Sequence, residues 1–286
     1  MYTILYSLVA EYTFQMVLLG GIILGTIAGM LGAFVLIRQQ SLLSDAIAHA
    51  SLPGIVVVFL FTGSVNPSLL MIGGIIVGSG GIILMYIILY CTKLKKDAVL
   101  GIILSVFFGI GLVLLTLVQK QQLSDQSILN KYLFGNITTM LYNDVLRMIL
   151  FSFCIIVCVL LIKKELTMVA FDREYTQVQG YSIGILEGIL YFLLVVTIGI
   201  GLHMVGVILI STMIISPAIA ARQYVIRMTP FIIVSGMFGA LAAVIGIIIS
   251  SIIPHMPTGP CIVLVSSSIA IFSLLITYKR EYAKLL

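Results

Sequence analysis

Nine apolar runs follow one another through this chain with only short polar breaks between them, near residues 15–37, 41–63, 68–91, 98–118, 145–162, 183–202, 204–221, 230–253 and 259–277. Each approaches or exceeds the roughly 20 residues that a helix needs to cross a bilayer core about 30 Å thick. In hydrocarbon every backbone N–H and C=O must be satisfied inside its own segment or barrel, so runs of this length imply helices. Only 9% of the residues are charged, 61% are hydrophobic and mean hydropathy is +1.26, which excludes an ordinary soluble domain. The expected fold is an all-α polytopic membrane protein of about nine (eight or nine) spans, one transmembrane domain over 1–286. The N-terminal stretch MYTILYSLVAEYTF has no basic region before its apolar part and no small-residue cleavage pattern, which argues against a removable signal peptide.

Basic residues assign the sides. Alternating nine spans puts Arg38, Lys93, Lys95, Lys96, Lys163, Lys164, Arg173, Arg222, Arg227, Lys279, Arg280 and Lys284 on one face, 12 of the 15 Lys and Arg, leaving Lys120, Lys131 and Arg147 on the other. The rich face is expected to be cytoplasmic, with the N-terminus outside and the C-terminus inside. The net charge of +5 is thus a topology signal, and no nucleic-acid partner is expected. An outer loop, residues 119–144, is semi-apolar and suggests short surface helices. An inner loop, residues 163–182, is polar and carries an amphipathic segment ending at Gly180, suited to docking a cytoplasmic partner.

Asp45 and His49 stand out within SLLSDAIAHASLPG, near the head of the second run. An Asp at the centre of a membrane helix costs about 2.5–3.5 kcal/mol on insertion scales, and intramembrane ionisable groups generally face a pathway or cavity. Four residues apart on a helix they share a face with Cβ atoms about 5–6 Å apart, so a carboxylate and an imidazole can hold one cation together. The competing reading is an Asp45–His49 hydrogen bond that serves packing alone. Hard divalent ions prefer oxygen ligands while imidazole suits zinc, iron and their neighbours, so one Asp plus one His does not choose sharply between metals.

The remaining features read as framework. Gly21, Gly25 and Gly29, and likewise Gly74 and Gly78, form small-residue ridges that let helices approach closely. Pro53-Gly54, Ser216-Pro217 and Pro257-Thr258-Gly259-Pro260 are expected to break or start helices, and Ser211, Thr212 and Ser216 are either path-lining or bonded to their own backbone. His203 and His255 fall in outer connections and are left outside the primary site, and Glu187 is expected at the membrane interface. Cys91, Cys154, Cys158 and Cys261 show no disulfide framework. No third ligand and no H-E-x-x-H motif supports an intramembrane metalloenzyme, and without G-x-x-x-x-G-K-[ST] the chain contains no nucleotide-binding loop of its own.

Five segments taken in order, LLSDAIAHASLPGI, KDAVLGIILSVFFGIGLVLL, AFDREYTQVQGYS, VGVILISTMIISPAIAAR and PTGPCIVLVSSSIA, resemble the permease subunits of bacterial ATP-binding-cassette importers for manganese, zinc and iron(II), from about residue 15 to 275. The resemblance implies kinship with the cobalamin and iron-siderophore permeases. It also implies a homodimer in the bacterial cytoplasmic membrane, surrounded by lipid, with two cytoplasmic ATPase subunits and an extracytoplasmic metal-binding protein as partners. Asp45 and His49 match the family's acid and histidine in the metal path. Phe171, Asp172, Glu174, Tyr175 and Gly180 resemble the element that docks in a groove of the ATPase, with Tyr175 where the pattern suggests a small residue. On this reading the chain is not itself an enzyme and holds no permanent cofactor; ATP is used by the partner, and Mn2+, favoured over zinc or iron, or Zn2+ is the cargo. A gradient-driven divalent-metal carrier or channel remains the alternative from another class, since it too would need buried Asp and His.

Overall fold

The computed structural model describes residues 12–63, 66–120, 142–253 and 256–285. All regular structure among the described residues is helical: α1 (Tyr12–Ile37), α2 (Ser41–Thr62), α3 (Pro67–Cys91), α4 (Lys96–Lys120), α5 (Tyr142–Phe171), α6 (Arg173–Val178), α7 (Ile183–Met204), α8 (Val207–Arg222), α9 (Met228–Ile252) and α10 (Thr258–Leu285). Eight of them are long and apolar enough to cross a membrane. The exception among the expected spans is 204–221. There α8 has 16 residues, about 24 Å at 1.5 Å per residue. Gly206 shortens it: its φ of +88° is a left-handed conformation that only glycine adopts without strain. Its N–H donates to the Leu202 carbonyl, closing α7 just before α8 begins.

Two other expectations change. Residues 163–171 are not loop but the last turns of the 30-residue α5, so the connection from α5 to α7 reduces to α6 and its flanks. Pro53 and Pro217 lie inside continuous helices, whereas Thr258, within the Pro-Thr-Gly-Pro sequence, does open α10. The outer segment 121–141 lies outside the described residues.

The helices form two compact units. One contains α1, α5, α6, the start of α7, most of α8, α9 and α10; the other contains α2, α3, α4, the rest of α7 and the first residues of α8. In the first unit α1 packs on α9 through glycine. A Cβ on Gly25 would run into the backbone carbonyl of Gly239, and one on Gly239 into that of Gly25, so the two backbones touch with no side chain between them. One turn on, the Ser235 hydroxyl donates to the Gly29 carbonyl at 2.6 Å. With no hydrophobic drive between helices in lipid, such close packing and interhelical hydrogen bonding hold the pair. In the second unit Gly54 of α2 and Gly73 of α3 meet backbone to backbone, and Gly111 of α4 receives Leu52.

Beside the start of α2, the second unit is pinned by polar contacts. Lys96 Nζ donates to the Tyr191 hydroxyl at 2.8 Å, and that hydroxyl donates to Gln40 Oε1 at 2.9 Å. Tyr191 is fully buried, and a buried phenol needs such a partner.

Candidate functional site

The sequence of α2 sets up the central pair. Asp45 and His49 lie about 6 and 12 Å along the axis from Ser41, on one face, and both are half-buried between fully buried neighbours such as Ala46, Ala48 and Ala50. No hydrogen bond or ion pair joins Asp45 to His49, and Nδ1 of His49 is buried without a hydrogen-bond partner among the described residues. That sets aside the packing hydrogen bond as the reason for the pair. A buried imidazole nitrogen left unsatisfied costs about 1–3 kcal/mol, a deficit that a bound cation would remove.

Two further groups shape this position. The His49 ring packs against Phe108 of α4 with centroids 4.7 Å apart and planes at 70°, a T-shaped contact that restrains the imidazole plane. Pro53 has no N–H to give the His49 carbonyl four residues earlier, so an acceptor oxygen is released within one turn of the imidazole. Sequence reasoning misses both groups, since Phe108 is one apolar residue among many and Pro53 registers only as a helix break. Among the described residues no cluster of three or more His, Cys, Asp or Glu side chains occurs, so within one chain the pair could offer a cation two ligands. His203 falls in the last turn of α7, and His255 lies outside the described residues. Ser211 and Ser216 are buried, and among the described residues neither hydroxyl bonds back to its helix.

The second candidate element is α6. Asp172 caps it, its Oδ1 accepting from the Tyr175 N–H at 2.9 Å, and the Thr176 hydroxyl donates to the Asp172 carbonyl at 2.7 Å. Gly180, at φ +85°, turns the chain toward α7. Within this short helix only Thr176 is buried. Phe171, Tyr175 and Val178 are 60%, 51% and 86% exposed, an apolar face turned away from the protein. Gln179 Nε2 donates to the Tyr175 hydroxyl at 2.9 Å and steadies that ring. Glu174 lies in the first turn and is exposed.

Glu187, expected at the membrane interface, is almost wholly buried within the protein, 2% exposed. Its Oε1 accepts from Arg38, just beyond α1, and from Arg173 at 2.6 Å. A lone acid in an otherwise apolar ILEGIL run is the one signal the sequence carries for it. The four cysteines are all free.

Comparison with known proteins places these features in context. A model of the ABC 3 transport family matches residues 10–277. The zinc transport system membrane protein TroC of Treponema pallidum is 40% identical over 96% of this chain and 93% of its own length. The manganese transport system membrane protein MntC of Bacillus subtilis is 38% identical over 94% of this chain, which spans 62% of that longer relative. The manganese import system permease protein ScaB of Streptococcus parasanguinis is 30% identical over 94% of this chain and 92% of its own length. Among solved structures, PsaBC from Streptococcus pneumoniae in complex with Fab superposes with a TM-score of 0.87 at 29% identity, covering 99% of both chains. An inward-facing metal-chelate type ABC transporter structure shares the fold at 15% identity and a TM-score of 0.72.

Proposed function

Because the chain belongs to the ABC 3 transport family and is a multi-pass protein of the cytoplasmic membrane, we propose that it is the permease subunit of an ATP-driven importer for a divalent transition metal. The observation that carries this reading is the pair on α2: a carboxylate and an imidazole on one face of a membrane helix, unbonded to each other, with a buried nitrogen in need of a partner. A cation arriving from outside would lose part of its hydration shell and gain Asp45 oxygen and His49 nitrogen. Two ligands hold it weakly enough to let it go, as conduction requires. A second copy of the chain, related by a two-fold axis, would double the pair around a central path. We propose manganese as the cargo, on the names of MntC and ScaB; TroC, named for zinc, marks zinc as the competitor, and the pair itself suits both.

Energy would come from a separate cytoplasmic ATPase, and the metal from an extracytoplasmic binding protein. The exposed apolar face of α6 supports ATPase docking there: Phe171, Tyr175 and Val178 would enter a groove of the partner, with Asp172 and Gly180 setting the helix ends and Glu174 adding charge. A gradient-driven carrier needs no such face. With α8 counted as a ninth, shorter crossing, the count of basic residues supports an outside N-terminus, a cytoplasmic C-terminus and α6 on the cytoplasmic side, with both compact units parts of one permease domain.

Metal-dependent growth and uptake of labelled manganese and zinc by cells carrying Asp45→Ala or His49→Ala test the reading. Loss of uptake at normal protein level is expected; near-normal uptake of both metals rejects the site.

A further inference from the structure

Polar side-chain contacts of α6 stay within the segment with one exception among the described residues. Asp172, Thr176 and Gln179 bond to their own neighbours, and Arg173 alone reaches out, 14 residues along, to Glu187 on α7. Glu187 turns the same oxygen to Arg38, 149 residues away at the inner end of α1. The side chains of Glu187 and Arg38 are 3% and 5% exposed, while Arg173 remains 56% exposed. A buried carboxylate shared by two guanidinium groups thus joins the first residue of α6 to the ends of α7 and α1. α6 follows α5 after one residue and buries only Thr176, so Arg173 is its side-chain tie to α7 and α1 among the described residues. Charge-assisted hydrogen bonds are short, directional and roughly twice as strong as neutral ones, so this oxygen gives a pull or push on α6 a direct side-chain route to α1 and α7, beside the backbone link to α5.

We propose that Glu187 is a positioning residue for transport, the joint through which movement of α6 is passed to α1 and α7, with Arg173 as its input arm and Arg38 as its output arm. This rests on the reading of α6 as the ATPase-docking helix. Losing the joint separates ATP hydrolysis from metal movement without separating the subunits. A purely structural ion pair would behave differently, lowering both activities together with the amount of folded protein.

The test uses the permease assembled with its own ATPase and binding protein in proteoliposomes, with manganese as the probe. ATPase co-purification, ATP hydrolysis and manganese uptake are measured for Arg173→Ala, Arg173→Lys, Glu187→Gln and, as a probe of docking, Val178→Asp. Arg173 is the exposed arm, so Arg173→Ala leaves the buried Arg38–Glu187 pair intact and yields folded protein even where Glu187→Gln does not. For Arg173→Ala, ATPase subunits stay bound, hydrolysis continues near the normal rate, and metal moved per ATP falls at least about five-fold, the low end of ordinary coupling between sites; Arg173→Lys recovers part of it. Unchanged metal per ATP in Arg173→Ala overturns the joint, and so does release of the ATPase by that variant, which would make Arg173 a docking contact. Val178→Asp separates the two ideas: if the ATPase stays bound to it, the docking face is wrong, while the joint is still judged on metal per ATP.

Discussion

Replacing Gly25 by Ala adds one methyl group at the closest approach of α1 and α9, and the structure indicates what that methyl meets. Its position lies 2.7 Å from the Gly239 carbonyl carbon and 3.1 Å from the Ala240 nitrogen, with the Gly239 carbonyl oxygen nearer still. All three are backbone atoms, so no side chain can rotate away and the helices must separate. Overpacking of this kind costs about 1–3 kcal/mol. Separation also stretches the Ser235–Gly29 hydrogen bond one turn further along, worth about 0.6 kcal/mol on average between membrane helices. A loss of about 2–3 kcal/mol is therefore expected. Gly80 of α3 offers an internal control, because a Cβ there meets nothing within 4 Å and Ala is the better helix former. Thermal unfolding of the purified protein in detergent, followed by a thiol-reactive dye at buried Cys261, should show Gly25→Ala melting several degrees lower and Gly80→Ala unchanged or higher. Equal melting temperatures for the two variants would refute the argument that backbone contact holds α1 to α9.

Other outcomes follow from the same geometry. Asp172→Ala removes the cap of α6, worth about 1 kcal/mol, and should weaken ATPase association in pull-down while leaving the melting temperature of the isolated permease nearly unchanged. Val178→Asp and Tyr175→Asp place a charge on the exposed apolar face and should abolish ATPase co-purification without loss of membrane expression. Tyr191→Phe deletes the hydroxyl that receives from Lys96 and donates to Gln40; an unsatisfied buried group costs about 1–3 kcal/mol, so the variant should unfold at lower temperature in the same detergent assay.

Hydrophobic run length makes most of the helices legible in the amino-acid sequence, because membrane spans leave few other options for their backbone. The run at 204–221 misleads because composition alone does not reveal that Gly206 adopts a left-handed turn and trims α8 to 16 residues. Residues 163–171 read as loop because Lys163, Lys164 and Glu165 are polar, yet a helix that leaves a membrane can carry such residues onward, and α5 runs through them without a break. The same limit applies to Pro53: a proline removes one hydrogen bond, but packing on α3 and α4 keeps α2 continuous.

At the site, the spacing of Asp45 and His49 tells which face they share, since helical geometry alone decides that. It cannot tell that they leave each other unbonded, nor that Phe108, far along the chain on α4, restrains the plane of the imidazole. The Arg38–Glu187–Arg173 cluster is hidden for a related reason. Its three charges lie in separate polar breaks and run ends, and only the folded chain brings them together.

The role of the α2 pair in moving metal is tested most directly by manganese uptake into proteoliposomes containing the permease as Asp45→Asn with its ATPase and binding protein. This substitution keeps shape and packing and removes only the charge. ATP hydrolysis should persist, and uptake should fall by a factor of about 10 or more, the equivalent of about 1.4 kcal/mol. Uptake at the rate of the unsubstituted protein would contradict the assignment of Asp45 and His49 to the metal path.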